Sequence, residues 1–111
     1  MPTLEFETTL NGTVAVIAPT GELDLFGAAL LESELDRLAA DPELAVVVLD
    51  LRGLEFMDSS GLRLVVLADM HAREAGRRFA LVKGVETVHR VFEITRMSDR
   101  LDFVTDPAEV R

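Results

Sequence analysis

Cysteine is absent from this chain. That excludes disulfides, thiolate nucleophiles and thiolate metal sites, and it fits a reducing compartment. Imidazole is scarce, with His71 and His89 the two histidines. Two isolated histidines do not make a metal cluster, so no metal and no cofactor are expected. Glycine-rich phosphate loops are missing: neither the dinucleotide fingerprint nor the P-loop spacing occurs. The G-x-S-x-G nucleophile elbow is missing as well. Apolar runs such as Leu64–Ala68 fall far short of the roughly 20 residues of a membrane span. The opening residues, Met1 to Leu10, carry neither the basic region nor the apolar core of a signal peptide. Positive charge is in deficit, and the net charge is −9. Such a surface argues against binding nucleic acid or an anionic membrane and suits a basic protein partner. The expectation is a cytoplasmic protein.

What is present is enough for a packed core. The 111 residues are 49% apolar and 28% charged, a size and composition that suggest one soluble domain over residues 1–111. Residues 3–9 alternate Leu4, Phe6 and Thr8 against Glu5 and Glu7, as a half-buried edge strand does. Asn11-Gly12 is a hairpin turn signal, and Thr13–Ala18 is the returning strand. Asp24 stands where an N-cap is expected for a helix over Leu25–Ala40. There Ala28, Leu31, Leu35, Leu38 and Ala39 recur at helical spacing. Asp41-Pro42 stops that helix.

Leu44–Leu51 reads as a strand buried on both faces, the kind that parallel sheets contain. A second helix is expected from about Ser60 to Gly76. It is apolar over most of its circumference, so it is either nearly surrounded or turned in part toward a partner. Arg78–Val82 is the fourth strand, Val85 to about Ile94 the third helix and Leu101–Val104 the last strand. The order β-β-α-β-α-β-α-β implies an α/β fold, a mixed β-sheet with helices packed against it.

The organising stretch is Phe56-Met57-Asp58-Ser59-Ser60-Gly61-Leu62. It joins a buried strand to a helix, so Ser59 and Ser60 lie at a helix N-terminus, where unpartnered N–H groups and the helix dipole favour an anion. Either Asp58 or Ser59 can cap the helix. The carboxyl end of a strand is where open α/β sheets place functional sites. Met57 and Leu62 would set apolar groups beside the serines as a docking surface. A serine hydroxyl needs a base to act as a nucleophile. His71 falls about three turns beyond Ser59 on the same helix, roughly 18 Å along its axis. No feature orients His89, and both histidines are expected to face solvent. Catalysis by Ser59 or Ser60 is therefore not expected.

At these residues the chain resembles a STAS domain of the anti-sigma factor antagonist family. The serine motif carries the resemblance, with Gly21-Glu22-Leu23-Asp24 and the element order in support. The resemblance implies a partner-switching protein without enzymatic activity. Its unphosphorylated form would bind an anti-sigma factor that is also a GHKL-type serine kinase, and so release a sigma factor. The kinase would phosphorylate Ser59, the serine after the motif's aspartate, and a PP2C-type phosphatase would reverse it. Asp24, Met57, Asp58, Ser60, Gly61 and Leu62 would then form the partner surface. A homodimer stays open. The rival within the same fold is a STAS interaction module of another assembly, a stressosome-like scaffold or a lipid-transport complex, without sigma-factor output. One departure stands out: Thr95-Arg96-Met97 replaces the family's frequent Thr-Gly-Leu at the end of the third helix. Arg96 enters a left-handed cap less cheaply than glycine, so that helix end is expected to differ.

Overall fold

The computed structural model describes residues 3–110. Met1, Pro2 and Arg111, which bound the domain expected over 1–111, lie outside the described residues. The chain runs β1 (Glu5–Asn11), β2 (Val14–Leu23), α1 (Leu25–Ala39), β3 (Val46–Asp50), β4 (Leu54–Met57), α2 (Ser59–Glu74), β5 (Arg78–Val82), α3 (Glu86–Ile94) and β6 (Phe103–Val104). The mixed α/β architecture is the expected one. The strand count is not: β4 is a sixth strand, where the sequence suggested one strand and then a turn.

The reason lies in β2. This strand is ten residues long and pairs antiparallel with β1 over Val14–Thr20, through the Asn11–Val14 hairpin. Its other edge takes two partners in succession. Val14–Ile17 pair parallel with Val46–Leu49 of β3, and Gly21–Leu23 pair parallel with Leu54–Met57 of β4. Between β3 and β4 the chain sidesteps through a 3-10 turn, Leu51–Gly53. Asp50 holds that step. Its carboxylate accepts from the Arg52 backbone N–H at 3.1 Å and from the Arg52 guanidinium at 3.0 and 2.8 Å. β5 then pairs parallel with the far edge of β3, and β6 with β5.

The sheet buries both faces, unequally. The larger core joins Ala15, Ile17, Leu49, Phe79 and Leu81 of the sheet to Ala28, Leu31 and Leu38 of α1, Leu64 and Val65 of α2, and Val88 and Phe92 of α3. The smaller core, on the other face, is Val46, Val48, Ala80 and Val82, closed by Val110. β3 is therefore buried on both faces, as its unbroken apolar run implied. α2 is not surrounded. Gly61, Leu64 and Val65 are buried, while Val66, Leu67 and Ala68 are half-buried and Met70 is exposed.

Two residues of the α3 region depart from expectation. His89 is buried, at 8% exposure. Its ring lies edge-on to Phe103 with centroids 4.9 Å apart, and near Phe92 at 6.1 Å. Its Nδ1 has no hydrogen-bond partner among the described residues. The helical face of Val88 and Phe92 is broad enough to carry position 89 inward with it. Burial lowers the His89 pKa, and Lys83 lowers it further against a smaller opposing effect of Glu93. Arg96 adopts the left-handed conformation, φ 63° and ψ 18°. The third helix thus ends as a glycine version would, with Arg96 N–H donating to the Glu93 carbonyl at 3.0 Å. The arginine carries the conformational cost.

Two outcomes are expected. A left-handed non-glycine residue costs about 1–2 kcal/mol, part of which glycine's greater unfolded-state entropy offsets. Arg96→Gly should therefore stabilise the protein by about 0.5–1 kcal/mol, read in urea denaturation, and an unchanged or lower midpoint would contradict the strain. The fold prefers neutral His89, so its contribution is complete above the unfolded value of about 6.5. That contribution falls as pH drops through 6.5 toward the lowered folded value. His89→Phe should flatten this part of the pH–stability profile. An equal slope in both proteins would show that His89 is not its source.

Candidate functional site at paired helix N-termini

Leu23 and Met57 are partners on neighbouring parallel strands, spaced about 4.8 Å apart as such strands are. Asp24 and Asp58 are the next residues, and the Asp58 N–H donates to the Leu23 carbonyl at 3.3 Å. α1 and α2 therefore begin side by side at the carboxyl ends of β2 and β4. Each helix start carries an aspartate N-cap. Asp24 Oδ1 accepts from the Gly27 N–H at 2.8 Å. Asp58 Oδ1 accepts from the Ser60 N–H at 2.8 Å and the Gly61 N–H at 3.4 Å. Each cap is worth about 1 kcal/mol. The choice left open by the sequence is resolved: Asp58 caps α2, and Ser59 is the first helical residue.

That assignment frees Ser59. It is exposed, and its hydroxyl makes no hydrogen bond among the described residues. Ser60, one position on, is half-buried, as is Leu62, which packs against the main core. Gly61 is buried for a steric reason: a Cβ there would lie 2.6 Å from Met57 Cγ and 2.8 Å from Leu23 Cγ. The glycine lets α2 close onto the strand pair that positions it.

Met57 requires a correction. Its side chain is 3% exposed and belongs to the core, so it supports the turn from beneath. The last residue of β4 points inward, as Leu54 does. The exposed apolar groups near the turn are others: Phe56, Leu25 and Phe26, the last at 81% exposure. Phe26 and Leu30 lie across α1 from the buried stripe of Ala28, Leu31 and Leu35, at 100° per residue. Their position on the polar side of the wheel is the signal in the sequence.

Neither histidine stands beside the serines. His89 lies inside the aromatic cluster of α3, and His71 is exposed on the last turn of α2. Among the described residues no group of three or more His, Asp or Glu side chains could hold a metal ion, and no helix is long and apolar enough to cross a membrane.

The STAS domain family model matches residues 5–110. The chain belongs to the STAS family. Among curated STAS-like relatives, the anti-sigma-F factor antagonist RsfB of Mycobacterium tuberculosis is 44% identical over 55 residues, 50% of this chain and 43% of RsfB. The match thus spans less than half the length of that relative. An anti-sigma F factor antagonist of Paenibacillus polymyxa is 26% identical over 92 residues, 83% of this chain and 79% of the relative. Among solved structures, the anti-sigma factor antagonist SpoIIAA in its unphosphorylated form superposes with a TM-score of 0.81 at 21% identity, covering 96% of this chain and 93% of SpoIIAA. The phosphorylated form of SpoIIAA, a Bacillus cell fate determinant, gives a TM-score of 0.75 at 20% identity, with 96% of each chain covered. At that identity the superpositions establish the shared fold.

Gly61→Ala gains roughly 1 kcal/mol of helix propensity but places a methyl group inside contact distance of two buried side chains. Overpacking of that kind costs about 1–3 kcal/mol. The variant should have a lower urea midpoint than the parent, and a raised midpoint would show that Leu23 and Met57 yield freely.

Proposed function

We propose that this chain, as a single domain over residues 1–111, is an anti-sigma factor antagonist switched by phosphorylation of Ser59. In the cytoplasm its unmodified form binds an anti-sigma factor that is also a GHKL-type serine kinase, and the bound sigma factor is released. A PP2C-type phosphatase resets the switch. The STAS family membership and the names of the relatives support the antagonist reading. The observation that carries the choice of residue is the placement of Ser59. It is exposed and relieved of capping by Asp58, at the first position of a helix that begins beside a second helix start.

The chain itself supplies no catalytic step. Base and ATP come from the kinase, and this protein supplies the acceptor. Before modification, the turn presents a small neutral hydroxyl, the half-buried Ser60 and Leu62, and the exposed Phe56, Leu25 and Phe26. A partner can bury that surface at little electrostatic cost. Phosphorylation adds about −1.5 to −2 charge. The α2 N-terminus returns roughly 0.3–1 kcal/mol. Asp24 and Asp58, the two caps, oppose it. At about 5 Å, each unit pair repels by on the order of 1 kcal/mol in water and 3 kcal/mol at an effective dielectric near 20. Covering the phosphate with a partner adds its desolvation. A loss of about 1.4 kcal/mol at the interface already weakens binding tenfold.

The test is incubation with the candidate kinase and ATP, followed by mass-spectrometric mapping. Phosphate is expected on Ser59 in the parent protein and nowhere on Ser59→Ala, which should stay folded and still bind. Stoichiometric phosphate on that variant would remove Ser59 from its role. Ser59→Asp should bind the kinase at least tenfold more weakly in calorimetry, and equal affinity would refute the charge argument.

A further inference from the structure

A concave feature lies away from the serine turn, between the later turns of α1 and α2. Its volume is about 130 Å³. The floor is Val47 of β3 and Phe79 of β5, and Leu35, Leu64, Ala68 and Ala72 form the walls. The alanines explain the gap. Beside Leu64, Leu67 and His71, α2 and its C-cap line the groove with Ala68, Ala72 and Ala75, whose side chains are single methyl groups. For scale, an enclosed apolar cavity of about 150 Å³ accommodates benzene. The hollow is thus sized for one aromatic ring or a compact aliphatic group.

The charges around it are not symmetrical. Glu32 and Asp36 stand one turn apart on the α1 wall, both exposed, and neither forms an ion pair among the described residues. The arginines at the other end are already engaged. Arg78 pairs with Asp102 at 2.7 Å, and Arg77 donates to the Asp41 carbonyl at 2.7 Å and the Leu38 carbonyl at 3.4 Å. The remaining polar group, His71, lies on the α2 side. A carboxylate ligand would meet two unpaired acids with no unengaged arginine. An ammonium would meet two open partners.

We propose that this groove binds a small primary amine with an aromatic or compact aliphatic body. The body rests on Val47 and Phe79, and the ammonium sits at Glu32 and Asp36. The site is separate from the serine turn, since His71 lies roughly 18 Å along α2 from Ser59, and it stands or falls independently of the phosphorylation switch.

The test is an NMR titration of the ¹⁵N-labelled protein with benzylamine, with toluene, phenylacetate and methylamine as comparison probes. Benzylamine should bind with a dissociation constant on the order of 1 mM, shifting the amides of Val47, Ala68, Ala72 and Phe79 and leaving Ser59 unmoved. Toluene should bind several-fold more weakly, and phenylacetate should leave the floor unshifted. Glu32→Gln with Asp36→Asn, both at exposed positions, should weaken benzylamine about tenfold. Ala72→Leu should fill the hollow and abolish the shifts. Equal binding of phenylacetate or toluene would overturn the charge assignment. The same floor shifts with methylamine would reduce the effect to general cation binding by an acidic protein and overturn the site.

Discussion

The structure depends on β2 holding two parallel partners along one edge. Ten residues of continuous strand leave room for β3 at one end and β4 at the other. A shorter β2 would leave β4 without an edge to pair with. α2 would then start from a loop, and the Asp58 N–H would lose the Leu23 carbonyl. Everything at the serine turn follows from that pairing. The helix starts are adjacent because their strands are adjacent, and the caps are adjacent because each is the first residue beyond a paired strand end. Gly61 is confined because it faces the pair that sets the register.

The core strands and helix periods were legible in the sequence for direct reasons. The stripe of Ala28, Leu31, Leu35 and Leu38 has one helical reading, and Leu44–Leu49 has the length and β-branching of a buried strand. β4 was not legible because Arg52-Gly53 reads as a strand end. Only the tertiary partner, the free edge of β2, recruits Leu54–Met57 back into the sheet. Met57 and His89 share a cause. Neighbours in sequence suggest exposure for both, and their burial is decided by elements distant in sequence, Leu23 for one and Phe103 for the other. Arg96 shows the converse: local cost predicted a changed helix end, and the tertiary fold held the backbone in place.

At the candidate site, the aspartates and the serine were visible as a motif, and the division of labour between them was not. Capping is a matter of which oxygen faces which N–H. Asp58 Oδ1 reaches both Ser60 and Gly61, which leaves the next side chain unclaimed. The exposed apolar residues Phe26 and Leu30 were written in the helical wheel as clearly as the core stripe. Their meaning depends on knowing that the start of α1 and the start of α2 share one end of the sheet.

The small second core has a consequence for the order of assembly. The β1–β2 hairpin is local and closes through a two-residue turn, so it can form as soon as residue 23 is available. The centre of the sheet cannot, because β3 stays half-paired until β5 arrives with residues 78–82. Even then the cover over Val46, Val48, Ala80 and Val82 is incomplete until Val104 and Val110 pack against them. At roughly 5–20 residues per second of synthesis, an apolar strip of sheet stays open for seconds while the residues between β5 and Val110 are added. The segment that ends that interval is a single 3-10 turn, Pro107–Glu109, with Val110 at its end. Chaperone dependence and aggregation during translation should therefore be governed by the short segment that carries Val110.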